Sequence, residues 1–202
     1  MFITHSSHTA PSTVRRSAAA AALLVLGAVA PRLGAQATNG FELRPFVGAY
    51  IPTGDQRDLL KDAVLAGAQA SWRVIPALAI TGTFAWSPSK DRIAGNQTLD
   101  IYQYDVGAEL RTPPGLDAGV AYVTPFVGLG LGGRTYDYRD LDATSKTNFD
   151  GYGALGADFG FGPIALRIEG RDYVSQFKPL TGSGPTSTRN DIGLAAGIGY
   201  RF

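Results

Sequence analysis

The amino-acid sequence predicts an all-β protein built as an eight-stranded antiparallel up-and-down barrel. Apolar and polar residues alternate with a period of two in eight segments of 9 to 12 residues, which is the side-chain pattern of strands. Compact and long connections follow one another between these segments, as they do in barrels of this topology. The 202 residues include 26 Gly, 9 Tyr and 10 Phe. That composition favours β-structure over a mixed α/β fold.

Residues 1–37 are predicted to be a cleaved signal peptide. Arg15 and Arg16 precede an apolar run at 18–30, and Ala35-Gln36-Ala37 has the small-x-small form of a signal-peptidase site. The apolar run is shorter than the roughly 20 residues that a membrane-spanning helix needs, so export with removal of the leader is favoured over anchoring. The mature chain is then a single barrel domain, residues 38–202.

The last segment alternates most clearly: Ile192, Leu194 and Ile198 share one face, and Gly193 and Arg201 share the other. The other segments repeat this contrast between an apolar face and a polar or small one, so the two faces of each strand must meet different environments. The predicted strands span residues 41–51, 64–73, 78–86, 101–111, 123–134, 149–159, 163–173 and 192–202.

The connections between the predicted strands differ in length and polarity. Compact connections are predicted at 74–77, 112–122 and 160–163, and polar loops at 52–63, 87–100, 136–148 and 175–190. Short turns at one rim and long loops at the other are typical of a membrane barrel with both termini on the periplasmic side. The connection at 112–122 is long for a turn, which leaves the pairing of the fourth and fifth strands open.

Period two does not say which face of the barrel is inside, because a soluble ligand-binding calyx and a transmembrane barrel share it. Gly107 and Gly193 lie on the polar face together with the charges, and an eight-stranded interior has room for small residues and a few paired charges. Aromatic residues lie at strand ends of the apolar face, where membrane barrels form interfacial girdles: Trp72, Trp86, Tyr102, Tyr200 and Phe202. The sequence therefore predicts a transmembrane barrel, with a secreted calyx as the alternative.

A set of charged residues is predicted to face the barrel lumen. Its members are Arg44, Asp105, Glu109, Arg111, Asp158, Arg167, Glu169, Arg171 and Arg201. Buried charges have to be paired, because burying an unpaired charge costs several kcal/mol of folding free energy, as a rough guide. A structural ion-pair network that fills the lumen is favoured over a gated or narrow polar pore, since eight strands enclose little more than their own side chains.

Composition excludes several classes of function. The chain has no Cys, and its two His residues, His5 and His8, precede the predicted cleavage site, so the mature barrel offers neither a thiolate nor an imidazole. Without the leader, 15 basic residues stand against 17 acidic ones and none forms a basic run, so no nucleic-acid partner is expected. No phosphate-binding loop or zinc spacing occurs. We expect no cofactor, no metal site and no catalytic residues.

The final residues resemble the assembly signal of outer-membrane proteins: Gly197, then Tyr200, then the terminal aromatic Phe202. The segments Arg44-Pro45-Phe46-Val47-Gly48 and Thr124-Pro125-Phe126-Val127-Gly128 are similar to segments of small porin-like barrels. The mature chain as a whole resembles the OmpA/OmpX/OmpW-like group of eight-stranded outer-membrane barrels. This resemblance implies insertion by the outer-membrane assembly machinery, a fold without cofactor, and loops that face the environment. We also expect a location in the outer membrane, contact with its lipid and lipopolysaccharide, and a monomer.

The resemblance implies no reaction, because members of the group range from structural anchors and adhesins to narrow channels and enzymes. Enzymes among the small barrels rely on a histidine, which the mature chain lacks. We therefore expect a non-enzymatic barrel with a structural or surface-interaction role through its loops. The alternatives at this point are a narrow channel for ions or small hydrophobic molecules and the secreted calyx.

Overall fold

The computed structural model describes residues 40–92, 97–112, 121–139, 145–177 and 187–202. Within these ranges the chain forms eight strands and one short helix. The strands are β1 (Phe41–Pro52), β2 (Ala63–Ile75), β3 (Leu78–Lys90), β4 (Thr98–Arg111), β5 (Ala121–Tyr138), β6 (Lys146–Phe161), β7 (Ile164–Phe177) and β8 (Ser187–Arg201), and the helix is α1 (Asp55–Leu59). The predicted signal peptide lies outside the described residues and stays a prediction.

The strands pair in sequence order, every neighbouring pair is antiparallel, and β8 closes the barrel against β1. The predicted fold class is confirmed. Strands β4 and β5, whose pairing the long connection left open, are neighbours that run in continuous register from Leu99 opposite Tyr138 to Arg111 opposite Phe126.

The two rims of the barrel differ. The turn rim carries Gly40, Phe202 and the ends of the short connections, including a turn in which Gly162 has a φ of 61°, a value that glycine adopts without strain. The loop rim carries the longer connections, and here the predicted boundaries were wrong: β3, β5 and β7 run on to Lys90, Tyr138 and Phe177. In the extensions of β3 and β5, the polar residues Lys90 and Asp137 take outward positions, so the hydrophobic alternation ends while the backbone hydrogen bonds continue.

Large apolar side chains cover the outside of the barrel on every strand. Leu129 is 71% exposed, Leu155 68% and Val106 64%, and 24 large hydrophobic residues in all are exposed in the described part of the chain. A continuous apolar surface of this kind is what a transmembrane barrel presents to lipid. The structure thus has the inverse of a calyx, which would hold its apolar residues inside.

The inside of the barrel combines charged side chains with glycines that make room for aromatic rings. A Cβ at Gly107 would lie 2.2 Å from the Tyr152 hydroxyl, and one at Gly130 would lie 2.4 Å from the same ring. Because neither distance is possible for a real side chain, these glycines leave the space that the Tyr152 ring occupies.

Candidate functional site

The lumen is the candidate site, and Asp158 on β6 is the centre of its half nearest the turn rim. This carboxylate is fully buried and accepts hydrogen bonds from Arg167 Nε at 2.8 Å and Arg111 Nη1 at 3.2 Å. Arg44 and Arg201 lie 3.7 and 4.0 Å away. Four arginines from β1, β4, β7 and β8 therefore converge on one carboxylate and hold opposite walls of the barrel together.

Arg167 makes the largest number of connections in this network. Its guanidinium donates to both oxygens of Glu109 at 2.7 and 2.9 Å, to Glu169 at 2.9 Å and to Gln69 Oε1 at 3.0 Å. The guanidinium also lies 3.8 Å from the centre of the Phe126 ring, a cation–π contact. Glu109 is shared with Arg111, whose Nη2 donates to it at 2.7 Å. All three nitrogens of the buried Arg167 guanidinium thus donate to acceptors within the lumen.

A second group lies further from the turn rim, around Arg171 on β7. Its Nη1 donates to both oxygens of Asp105 at 3.0 and 3.1 Å, its Nε donates to Glu169, and its Nη2 donates to Thr83 at 3.1 Å. Because Glu169 contacts both Arg167 and Arg171, the two groups form one continuous network.

A third group, not among the predicted lumen residues, lies nearer the loop rim. Arg134 is fully buried, forms an ion pair with Asp191, and lies between the rings of Tyr50 and Tyr173, whose centres are 5.4 and 5.0 Å away. Asp150 lies 3.8 Å from Arg134 Nε, and neither of its carboxylate oxygens has a hydrogen-bond partner.

Helix α1 closes the lumen at the loop rim. Gln56 is fully buried, and its Nε2 donates to the hydroxyls of Tyr50 and Tyr136 at 3.2 and 3.3 Å. Leu60 packs beside it in an apolar cluster with Leu99 and other buried residues of the strand ends. Backbone contacts to the end of β3 hold the loop down, including Leu60 paired with Asp91. The loop between β1 and β2 is therefore a cap.

Little open space remains inside. A cavity of about 20 Å³ lies against the β1 and β8 wall, lined among others by Gln69, Arg167, Arg171 and Tyr173. Such a volume holds about one water molecule. The lumen in the described part of the chain is filled by its own side chains.

The structure brings all nine predicted lumen residues into this ion-pair network. Eight are buried, and Arg201 is partly exposed at the turn rim. Sequence reasoning missed Glu42, Arg134, Asp150, Asp191 and Gln56, all of which are buried. The four charged residues among them have the inward parity of their strands. Glu42, Arg134 and Asp150 lie within the predicted strands and Asp191 lies one residue before the last of them, so the alternation was a signal that could have found all four. Gln56 carried no such signal.

The predicted assembly signal divides between the two faces. Gly197 faces inward, where a Cβ would lie 2.8 Å from the carbonyl oxygen of Pro45, while Tyr200 and Phe202 are exposed on the outer face. The rings of Tyr200 and Phe202 meet edge to face with centres 5.0 Å apart, beside Phe41. Their role in assembly stays a prediction.

In the ranges that the structure describes, no group of three or more His, Cys, Asp or Glu residues is arranged to hold a metal ion. Among the same residues, no helix is long and apolar enough to span a membrane.

Comparison with known proteins decides the family. Residues 18–202 match the family described as "outer membrane protein beta-barrel domain". The chain belongs to this family. It is therefore a protein of the outer membrane, as the resemblance implied, and the match begins within the predicted signal peptide. No curated protein matches the sequence.

Solved structures of outer-membrane barrels share the fold of this outer-membrane protein. Neisserial surface protein A has a TM-score of 0.59 and 13% sequence identity, over 80% of this chain and 97% of that one. The N-terminal barrel domain of OprF from Pseudomonas aeruginosa has a TM-score of 0.55 and 14% identity, covering 83% and 100%. The outer-membrane protein OprG from the same organism has 0.54 and 14%, covering 81% and 96%. At these identities the likeness establishes the fold alone.

Proposed function

We propose that this protein is a non-enzymatic integral barrel that stabilises the outer membrane and interacts with the cell's surroundings through its loops. The observation that carries the proposal is the filled and capped lumen: the ion-pair network occupies the interior, and Gln56 and Leu60 close the loop rim. A lumen of this kind stabilises the barrel and leaves the loop rim as the part of the molecule available to partners.

The absence of His and Cys from residues 38–202 supports a role without catalysis, because these residues supply most general bases and covalent nucleophiles. Asp158 and Glu109 do not offer a substitute, since each is bonded to arginines within the network. Neisserial surface protein A, which shares the fold, is by its name a surface protein.

The narrow channel is the alternative that conductance tests. We expect purified protein in planar lipid bilayers to give no steady current steps, because the ion-pair network crosses the lumen and the cavity beside Arg167 holds about one water molecule. A general porin added to the same bilayer is the positive control. Steady steps from the wild type whose size changes in Glu169→Gln would contradict a filled lumen and favour the channel.

The surface role requires the loop rim to face outward from the cell. Because the chain has no cysteine, single cysteines report orientation without background. We expect a membrane-impermeant maleimide to label Asp58→Cys, on the exposed side of α1, in intact cells. Pro76→Cys, in the exposed turn after β2, should be labelled only after the outer membrane is permeabilised. The opposite pattern would overturn a role at the cell surface.

A further inference from the structure

The turn rim contains a small cavity lined by three arginines, one of which is not part of the ion-pair network. It has a volume of about 20 Å³ and is lined by Gly40, Glu42, Ser71, Arg73, Arg111 and Arg201. Its three arginines come from the ends of β2, β4 and β8, where inward-facing side chains meet the mouth of the barrel.

Two of these arginines are paired with carboxylates of the protein. Arg111 donates to Glu109, Asp158 and the Ser71 hydroxyl at 2.7, 3.2 and 3.1 Å. Arg201 donates to Glu42 at 2.9 Å. Because they share these carboxylates with other arginines, their positive charge is only partly compensated.

Arg73 has no such partner. Its side chain forms no ion pair or hydrogen bond with any described residue, and its Nε is buried with no acceptor. The other five arginines of this part of the lumen each have a carboxylate within 4.0 Å: Arg44, Arg111, Arg167, Arg171 and Arg201. Six arginines thus face five carboxylates in this part of the lumen, Glu42, Asp105, Glu109, Asp158 and Glu169, and Arg73 is the one of the six without an ion pair to a described residue.

A partly buried guanidinium with an unsatisfied N–H beside two other arginines destabilises the fold that contains it. A bound oxyanion would accept from the free N–H groups and offset the like charges, and the planar fork of Arg matches a phosphate group in two places at once. The exposed aromatic residues Trp72, Tyr200 and Phe202 place the turn rim at the level of the lipid headgroups. Phosphate is the anion that phospholipid headgroups present there.

We propose that the turn rim binds a phosphate group at Arg73, with Arg111 and Arg201 supplying the surrounding positive potential. One or two oxygens of the anion enter the cavity, and the remainder of the ligand stays outside the mouth. The phosphate comes either from a phospholipid headgroup or from a free phosphate compound. This site does not depend on the proposed role of the loops.

The direct test is calorimetric titration of inorganic phosphate into the folded protein in a phosphate-free maltoside detergent at fixed ionic strength. We expect saturable binding to the wild type and roughly ten-fold or greater weakening in Arg73→Gln, which loses a charge-assisted bidentate contact. Arg57→Gln, which removes an exposed arginine of α1 at the other rim, is the matched control and should bind like the wild type. Equal binding to Arg73→Gln and wild type, or no binding to either, overturns the proposal.

Two further arms identify the source of the phosphate. If a lipid headgroup occupies the site, protein in phosphatidylglycerol nanodiscs should bind added phosphate more weakly than in maltoside, and native mass spectrometry should find phosphatidylglycerol retained by the wild type and lost from Arg73→Gln. If free phosphate is the ligand, its affinity should be the same in both environments. Either result supports a phosphate site.

Stability separates a binding residue from a structural one. Without phosphate, Arg73→Gln should unfold at the same or a higher denaturant concentration than the wild type, because no described residue forms an ion pair or hydrogen bond with the arginine side chain. Added phosphate should raise the unfolding midpoint of the wild type only. A clear loss of stability in phosphate-free Arg73→Gln would make Arg73 structural and contradict the proposal.

Discussion

Replacing Asp158 with asparagine is expected to lower the free energy of unfolding by about 3–5 kcal/mol, the usual loss when one partner of a buried ion pair is removed. Asp158 accepts from Arg167 and Arg111 and is fully buried, and Arg44 and Arg201 also lie within 4.0 Å of it. Asparagine has nearly the same shape but no charge, so Asp158→Asn leaves four converging arginines with one carboxylate fewer.

The matched control for this prediction is Asp150→Asn, at another buried aspartate of the same strand. The Asp150 oxygens have no hydrogen-bond partner and lie 3.8 Å from the nearest arginine nitrogen, so its charge receives little compensation. We expect Asp150→Asn to change stability by about 1 kcal/mol or less.

Urea unfolding of both variants in lipid vesicles, followed by the fluorescence of Trp72 and Trp86, measures the difference. Equal effects of the two substitutions would mean that the network around Asp158 does not hold the barrel together.

Introducing an arginine on the outer face at Leu129 is expected to destabilise the folded protein by about 2–4 kcal/mol, the cost of this residue near the bilayer midplane. Leu129 lies near the middle of β5 between Val127 and Leu131, and its side chain points into the surrounding medium. In water the same substitution would be close to neutral, because an exposed leucine gains nothing there.

Asn190→Arg tests the depth dependence of this effect. Asn190 is exposed on the outer side of β8 close to the loop rim, so the substitution should cost about 0–1 kcal/mol. Unfolding midpoints of the two variants in the same vesicles give the comparison. A neutral Leu129→Arg would show that lipid does not cover this face.

Much of the fold follows from local sequence, because each strand contributes one face to lipid and one to the lumen. The alternation of Ile192, Leu194 and Ile198 with Gly193 and Arg201 alone gives the strand, its outer face and the inward position of Arg201. The first part of β8 escaped detection because its outward positions carry the polar residues Thr188 and Asn190, so no apolar period marks it.

The ion pairs and hydrogen bonds of the lumen join residues that lie far apart in the sequence, so no local sequence pattern predicts them. Arg167 meets Glu109 from 58 positions away, and Gln56 meets Tyr136 from 80 positions away. The sequence could predict that inward charges are paired, because burial requires it. Which charge meets which depends on the strand order and register, and the capping role of α1 depends on the geometry of the mouth.

The central claim is that apolar strand side chains meet lipid around a closed, charged interior. Lipid-borne quenching of the two native tryptophans tests it most directly, using Trp86→Phe and Trp72→Phe as single-tryptophan proteins in vesicles with brominated acyl chains. Both tryptophans have outward positions on their strands, so bromolipid should quench each strongly and aqueous iodide only weakly. Strong quenching by iodide together with no effect of bromolipid would contradict the claim.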